Sequence, residues 1–152
     1  MNIYAIMENT SMVKLTPFHL AIPVDDLNKS REFYGDLLQC EEGRSTAHWI
    51  DYNFFGHQLV CHKSEPKETI NCDNPVDGKQ VPIPHFGVVL EMDQWYQLRD
   101  RLLAKGVKFQ IEPYIRFKNK TGEQATMFFY DPSGNALEFK AFKDIKTELF
   151  KK

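Results

Sequence analysis

Between Thr16 and Tyr34 the chain "TPFHLAIPVDDLNKSREFY" changes its hydrophobic period. Phe18, Leu20 and Ile22 alternate with His19 and Ala21, which is the period of a strand, and Leu27, Tyr34, Leu37 and Leu38 then follow a helical stripe. Asp25 or Asp26 is placed to cap that helix. The same succession returns in "PHFGVVLEMDQWYQLRDRLLAKGVKF". There Trp95, Leu98 and Leu102 step by three and four, Leu103 widens the stripe, Asp93 is placed as the cap and Gly106 as the stop. Aromatic and branched runs follow each helix: "CEEGR", "AHWIDY" and "HQLVCH" first, "VKFQI", "ATMFFY" and "NALEFKAF" second. "NFFG" and "DPSGN" are read as hairpin turns. Each half therefore predicts β-α-β-β-β. One helix per three or four strands implies an α+β fold with a curved, mixed but largely antiparallel sheet, not a doubly wound one.

The boundaries follow from this repeat. Residues 1–15 form an extension and 16–143 one domain, with module one at 16–63, a linker at 64–83 and module two at 84–143. A lysine-rich tail covers 144–152. The stretch from Lys63 to Pro84 that spans the linker holds four prolines and reads as a plain connection, with a partial lid over a site as the functional alternative. The stretch "YIRFKNKTGEQ" predicts a hairpin turned at Lys120–Gly122.

Composition narrows the classes. Hydrophobic residues at 42% suffice for a core, while a net charge of −2 argues against phosphate tracking and so against nucleic acid. No basic, apolar leader or membrane span is legible near Met1. Three cysteines without C-x-x-C spacing fit a reduced, cytoplasmic protein and argue against a thiolate zinc site.

Parity then brings chemistry-bearing side chains together. His19 shares a strand face with Ala21, and His85 with Gly87 and Val89. Gln58 shares one with Val60 and His62, and Glu138 with Ala136 and Lys140. A lone histidine on an apolar strand is ordinarily a satisfied polar group. Two at matched places of a repeat, with a glutamate closing the second, make a two-histidine, one-carboxylate set that suits a divalent metal and leaves coordination places open.

At these residues the chain resembles the vicinal oxygen chelate superfamily, which includes glyoxalase I, fosfomycin and bleomycin resistance proteins, methylmalonyl-CoA epimerase and extradiol dioxygenases. The resemblance spans about residues 16–143. It is carried by D-L-x-x-S-x-x-F-Y (Asp26, Leu27, Ser30, Phe33, Tyr34) and by "MFFYDPSGNALEFKAF", and is strongest toward extradiol-dioxygenase-like members. It implies paired βαβββ modules around a metal held by His19, His85 and Glu138. Gln58 stands where glyoxalase I has a ligand glutamate and epimerases a glutamine, and is the candidate fourth metal ligand. Fe(II) is the implied metal, with Mn, Zn, Ni or Co as alternatives. The resemblance implies a dioxygenase for a small substrate that chelates the metal through two adjacent oxygens. A metal-dependent isomerase or lyase, and a non-catalytic binding or resistance protein, are the alternatives. His62 is the candidate general base. Tyr130 is the candidate for the tyrosine of catechol-cleaving members, unless Phe128 takes that place. Arg44, Arg116 and Lys140 are candidates to hold a substrate carboxylate. His48 and His57 receive no role. A homodimer is expected, because one pair of modules leaves sheet edges to cover.

Overall fold

The computed structural model describes residues 15–66 and 72–151. Residues 1–14, nearly all of the expected extension, lie outside the described residues, as do 67–71 of the linker and the final lysine of the tail. Module one runs β1 (His19–Val24), α1 (Leu27–Ser30, continued in π geometry over Arg31–Leu37), β2 (Glu41–Ser45), β3 (Trp49–Phe54) and β4 (His57–Lys63). Its sheet order is β1-β4-β3-β2, with β1 parallel to β4. Two further strands fall in the linker, β5 (Cys72–Val76) and β6 (Lys79–Ile83). Module two follows as β7 (His85–Phe86), β8 (Val89–Glu91), α2 (Met92–Ala104), β9 (Phe109–Arg116), β10 (Gln124–Tyr130) and β11 (Ala136–Phe142). Its order is β7-β11-β10-β9, with β8 beside β7 on β11. A short helix, α3 (Ile145–Glu148), occupies the expected tail. No helix among the described residues is long and apolar enough to cross a membrane.

Local chemistry sets these boundaries. The Asp26 carboxylate accepts from Asn28 N (2.8 Å) and Lys29 N (3.1 Å) and opens α1. In module two the cap is Glu91, not Asp93, and the Gln94 side chain accepts from the Glu91 N–H at 3.3 Å. Gly106, at φ 68°, stops α2 as expected, because a left-handed residue there lets Val107 N–H reach back to Leu102 O. Trp95, Leu98 and Leu102 are buried, but Leu103 is half exposed, so the apolar stripe is narrower than the pattern suggested.

The expected single first strand of module two is broken at Gly87. A Cβ built on Gly87 would lie 1.6 Å from the Glu138 carbonyl oxygen, so the backbones approach as only glycine permits. The linker also departs from a plain connection. "DGKQV" hides a hairpin turned on Asp77 (φ 51°) and Gly78 (φ 72°), the Asp-Gly pair that a two-residue turn of this hand requires.

The helix-covered faces of both sheets share one core, in which Phe33 packs on Phe129 and Phe54 on Phe139. The turn "DPSGN" clamps the modules together. Asp131 Oδ2 accepts from the buried Tyr34 hydroxyl (2.8 Å), and Asn135 Nδ2 donates to Pro23 O (2.9 Å). The Ser133 hydroxyl meets Asp25 Oδ1 at 2.7 Å. β1, which carries His19, and β7, which carries His85, are left at sheet edges.

Candidate active site

In module two, β7 and β11 run parallel and bring His85 Nε2 to 3.0 Å from Glu138 Oε2. The other oxygen, Oε1, accepts from the Thr126 hydroxyl (2.7 Å) and lies 3.4 Å from Lys140 Nζ. Glu138 is only 9% exposed. Burial pushes its carboxyl upward, but the hydrogen bonds from His85 and Thr126 and the charge of Lys140 outweigh that, so its pKa lies below the ordinary value. The bond to Glu138 is likewise the main reason that His85 is raised. His85, Glu138 and Lys140 line one groove of about 260 Å³.

The bonding pattern assigns a tautomer. His85 Nδ1 lies 2.7 Å from Pro82 O, which can only accept, so Nδ1 carries a hydrogen. Neutral His85 then turns the Nε2 lone pair toward a carboxylate that also only accepts. Two acceptors 3.0 Å apart require a cation, either a proton or a metal, and an imidazole nitrogen facing a carboxylate fits a divalent metal.

Module one carries a different pair. His19 Nδ1 lies 2.8 Å from Gln58 Oε1, and Gln58 Nε2 donates to Asp51 Oδ2 at 3.3 Å. Arg44 reaches Asp51 at 3.7 Å, with its own side chain 83% exposed. The amide is therefore turned with its oxygen to the ring, which leaves the His19 Nε2 lone pair free.

Register separates the halves further. His19 lies opposite Gln58, and Ala21 opposite Val60. His85 lies opposite Ala136, so Glu138 stands two residues beyond the residue facing the histidine. The residue two beyond Gln58 is Val60. The place in module one that corresponds to Glu138 is thus Val60 and not Gln58, which corrects the expected equivalence. Val60 is buried and has no lone pair to offer a metal.

The remaining candidates are distributed as follows. Among the described residues, no three His, Cys, Asp or Glu side chains of one chain come together to hold a metal, so His19 does not join His85 and Glu138 within a chain. His62 lies on the Gln58 face of β4 but four residues further along, roughly 13 Å at the rise of a strand. Arg116 is engaged by the linker hairpin, 2.5 Å from Asp77 Oδ2, and the Tyr114 hydroxyl donates to the same oxygen at 3.4 Å. Phe128, opposite Glu138, sets its ring edge-on to His85 at 5.1 Å. Tyr130 lines a neighbouring cavity with His85, and its phenol is raised chiefly by burial. Lys140 is beside Glu138, as strand parity implied. His57, given no role, accepts from Phe18 N–H at 2.9 Å and fixes the start of β1.

Three participants escaped the sequence reading. Thr126 and Asp51 were accessible to strand parity, since each alternates with core residues. Pro82 acts through a backbone carbonyl, for which no side-chain signal exists.

The family model of the Glyoxalase/Bleomycin resistance protein/Dioxygenase superfamily matches residues 16–139. A glyoxalase/bleomycin resistance protein/dioxygenase structure from Alicyclobacillus acidocaldarius is 32% identical, covers 86% of this chain and 94% of its own, and superposes with a TM-score of 0.67. Lactoylglutathione lyase from Agrobacterium tumefaciens (17% identity, TM-score 0.60, coverage 84% and 94%) shares the fold. So does the fosfomycin resistance protein FosX from Listeria monocytogenes (19%, 0.59, 84% and 92%). No curated protein matches the chain. With the repeat, the mixed sheets and the Glu138 hairpin in agreement with these likenesses, the chain belongs to the glyoxalase/bleomycin resistance protein/dioxygenase superfamily.

Proposed function

We propose that the protein is a divalent-metal-dependent dioxygenase for a small substrate that presents two adjacent oxygens. Its metal, Fe(II) foremost, would be held by His19 of one copy and by His85 and Glu138 of a second. The observation that carries this reading is Val60 at the place corresponding to Glu138: three ligands and an apolar fourth place are the donor set of an oxygen-using iron site, not of a four-ligand lyase. When bound, such a metal supplies Lewis acidity and open coordination places. The two-copy arrangement is supported by the separation of the half-sites within one chain and by the edge positions of β1 and β7.

Each neighbouring residue has a part in this reading. Gln58 orients His19, and the Pro82 carbonyl orients His85, each by holding the Nδ1 hydrogen. Lys140 and Thr126 hold Glu138 ionised and in place. The Phe128 ring excludes water from one side of His85. Lys140 is the substrate-carboxylate candidate closest to the metal ligands, whereas Arg116 is paired with Asp77 and the exposed Arg44 with Asp51.

A second reading, a metal-dependent lyase or isomerase, is favoured by one feature. Phe128 faces His85 where a catechol-cleaving enzyme would use a tyrosine hydroxyl. Anaerobic loading with Fe(II), metal analysis and oxygen-electrode assays on a panel of catechols and 2-hydroxy ketones decide between the two. Oxygen uptake with a metal content near one per chain is expected. Iron without uptake, together with isomerised or cleaved product, supports the second reading. In Val60→Glu, metal is retained and oxygen uptake falls, because a fourth ligand closes an open place. A dimer by sedimentation is expected, and a monomer that binds metal through all three ligands would overturn the two-copy site.

A further inference from the structure

Beside the His85–Glu138 groove lies a second cavity, of about 300 Å³, that shares His85 and Phe86 with it. Its walls come from four places. β1 supplies Leu20 to Pro23, the start of β11 and the turn before it supply Asn135 and Ala136, the segment from Pro82 to Phe86 closes one side, and Tyr130 comes from β10. The polar groups on these walls are mostly committed. Asn135 Nδ2 is spent on Pro23 O and Asp131, and His85 Nδ1 on Pro82 O. Tyr130 also lines the space. Burial raises its pKa, and nearby Asp73 adds to this, so it stays a neutral phenol at physiological pH.

We propose that this cavity is a subsite for an uncharged apolar arm of the substrate, such as a phenyl or branched alkyl group, and that the end of the β5–β6 hairpin forms one of its walls. This rests on the proposed function, which puts the chelating end of the substrate at His85. The chemistry of the occupant follows from the lining. The cationic group on the lining, His85, is already paired with Glu138, so an ionised group placed among Leu20, Ile22, Ile83 and Phe86 would lose its hydration without a free counter-charge. Size agrees, since a dry cavity of about 150 Å³ already accommodates benzene. The hairpin is held to the body of module two by Asp77, which takes Arg116 Nε and the Tyr114 hydroxyl, and by Lys79 Nζ, 4.7 Å above the Tyr114 ring. The same hairpin ends on the Pro82 carbonyl that orients His85. One insertion therefore shapes the apolar wall and positions the histidine.

The test uses the full chain, metal-free, with toluene and benzoate as probes. Methyl resonances of Ala21, Ile83 and Ala136 report the cavity, and those of Ile145 and Leu149 report the larger cavity under α3. Toluene is expected to shift the first set, and benzoate at equal concentration to leave it unmoved. Ala21→Phe, which fills the space from β1, is expected to abolish the toluene shift. Asp77→Ala, which frees the wall without entering the cavity, is expected to weaken it several-fold, with both variants checked for folding by thermal unfolding. Equal shifts from benzoate, shifts confined to Ile145 and Leu149, or a toluene response unchanged in Ala21→Phe would overturn the proposal. Toluene binding by a chain that takes up no metal would instead overturn the proposed function and leave the apolar site standing.

Discussion

The two modules repeat one chain path and present two different kinds of ligand. In module one, His19 is exposed and faces a neutral amide directly across the strand pair. In module two, His85 meets a buried carboxylate two residues further along the neighbouring strand, flanked by a hydroxyl and an ammonium group. An exposed neutral pair is inexpensive to leave empty. A buried carboxylate needs a cation near it, whether proton, lysine or metal. The lesson is that a duplicated fold preserves backbone positions while side chains at corresponding places diverge: Val60 and Glu138 occupy one place, Gln58 and Ala136 another.

This contrast can be broken by substitution, and the largest effect is expected on the module-two side. Glu138→Ala should lower metal affinity about a thousandfold, in line with the roughly 4 kcal/mol lost when one partner of a buried charge pair is removed. Metal titration monitored by calorimetry measures it, and near-normal affinity would remove Glu138 from the site. Gly87→Ala comes next, with a loss of about 3 kcal/mol in unfolding free energy, since the added methyl meets the Glu138 backbone. Urea unfolding reads that value; because module one has no equivalent backbone approach at Ala21, Ala21→Gly should cost far less. Tyr34→Phe should cost about 2 kcal/mol by leaving the buried Asp131 oxygen short of a donor, and the clamp between modules is then weaker in the same urea assay. Gln58→Ala should lower metal affinity only about tenfold, as loss of an outer-shell partner does. An effect as large as that of Glu138→Ala would make Gln58 a ligand and erase the asymmetry.

The smallest expected effect is on pH dependence. His85 has a raised pKa in the fold, so its contribution is full below the ordinary histidine value of 6.5 and is lost as pH rises through the raised one. Glu138 has a lowered pKa, so its contribution is full above the ordinary 4.5 and is lost as pH falls through the lowered one. The metal-free protein should therefore owe most to this pair between those two ordinary values. Thermal unfolding across pH 3–9 checks this, and the bell should flatten in Glu138→Ala.

Much of this architecture was legible in the chain. The helical stripes around Tyr34 and Trp95, the strand runs, the Gly106 stop and the neighbourhood of Glu138 and Lys140 all follow from periods and parities inside single elements. The Asp-Gly turn of the linker hairpin was legible too, but the prolines around it obscured the signal. The Glu91 cap was missed because Asp93 is the better isolated capping residue and the choice between them depends on Gln94. The role of "DPSGN" as a clamp to Tyr34, and of Asp77 as the hold on Arg116, joins residues far apart in sequence, and no local pattern encodes such contacts.

By itself the sequence determined the repeat, the α+β class and which side chains share a strand face, because these depend on covalent spacing and backbone geometry. Only the tertiary structure decided that Val60 and not Gln58 corresponds to Glu138, that His19 stays apart from His85 within a chain, and that a linker carbonyl orients His85. Those facts depend on register and packing between segments, where a shift of two residues keeps every side chain on its face and yet changes which groups meet.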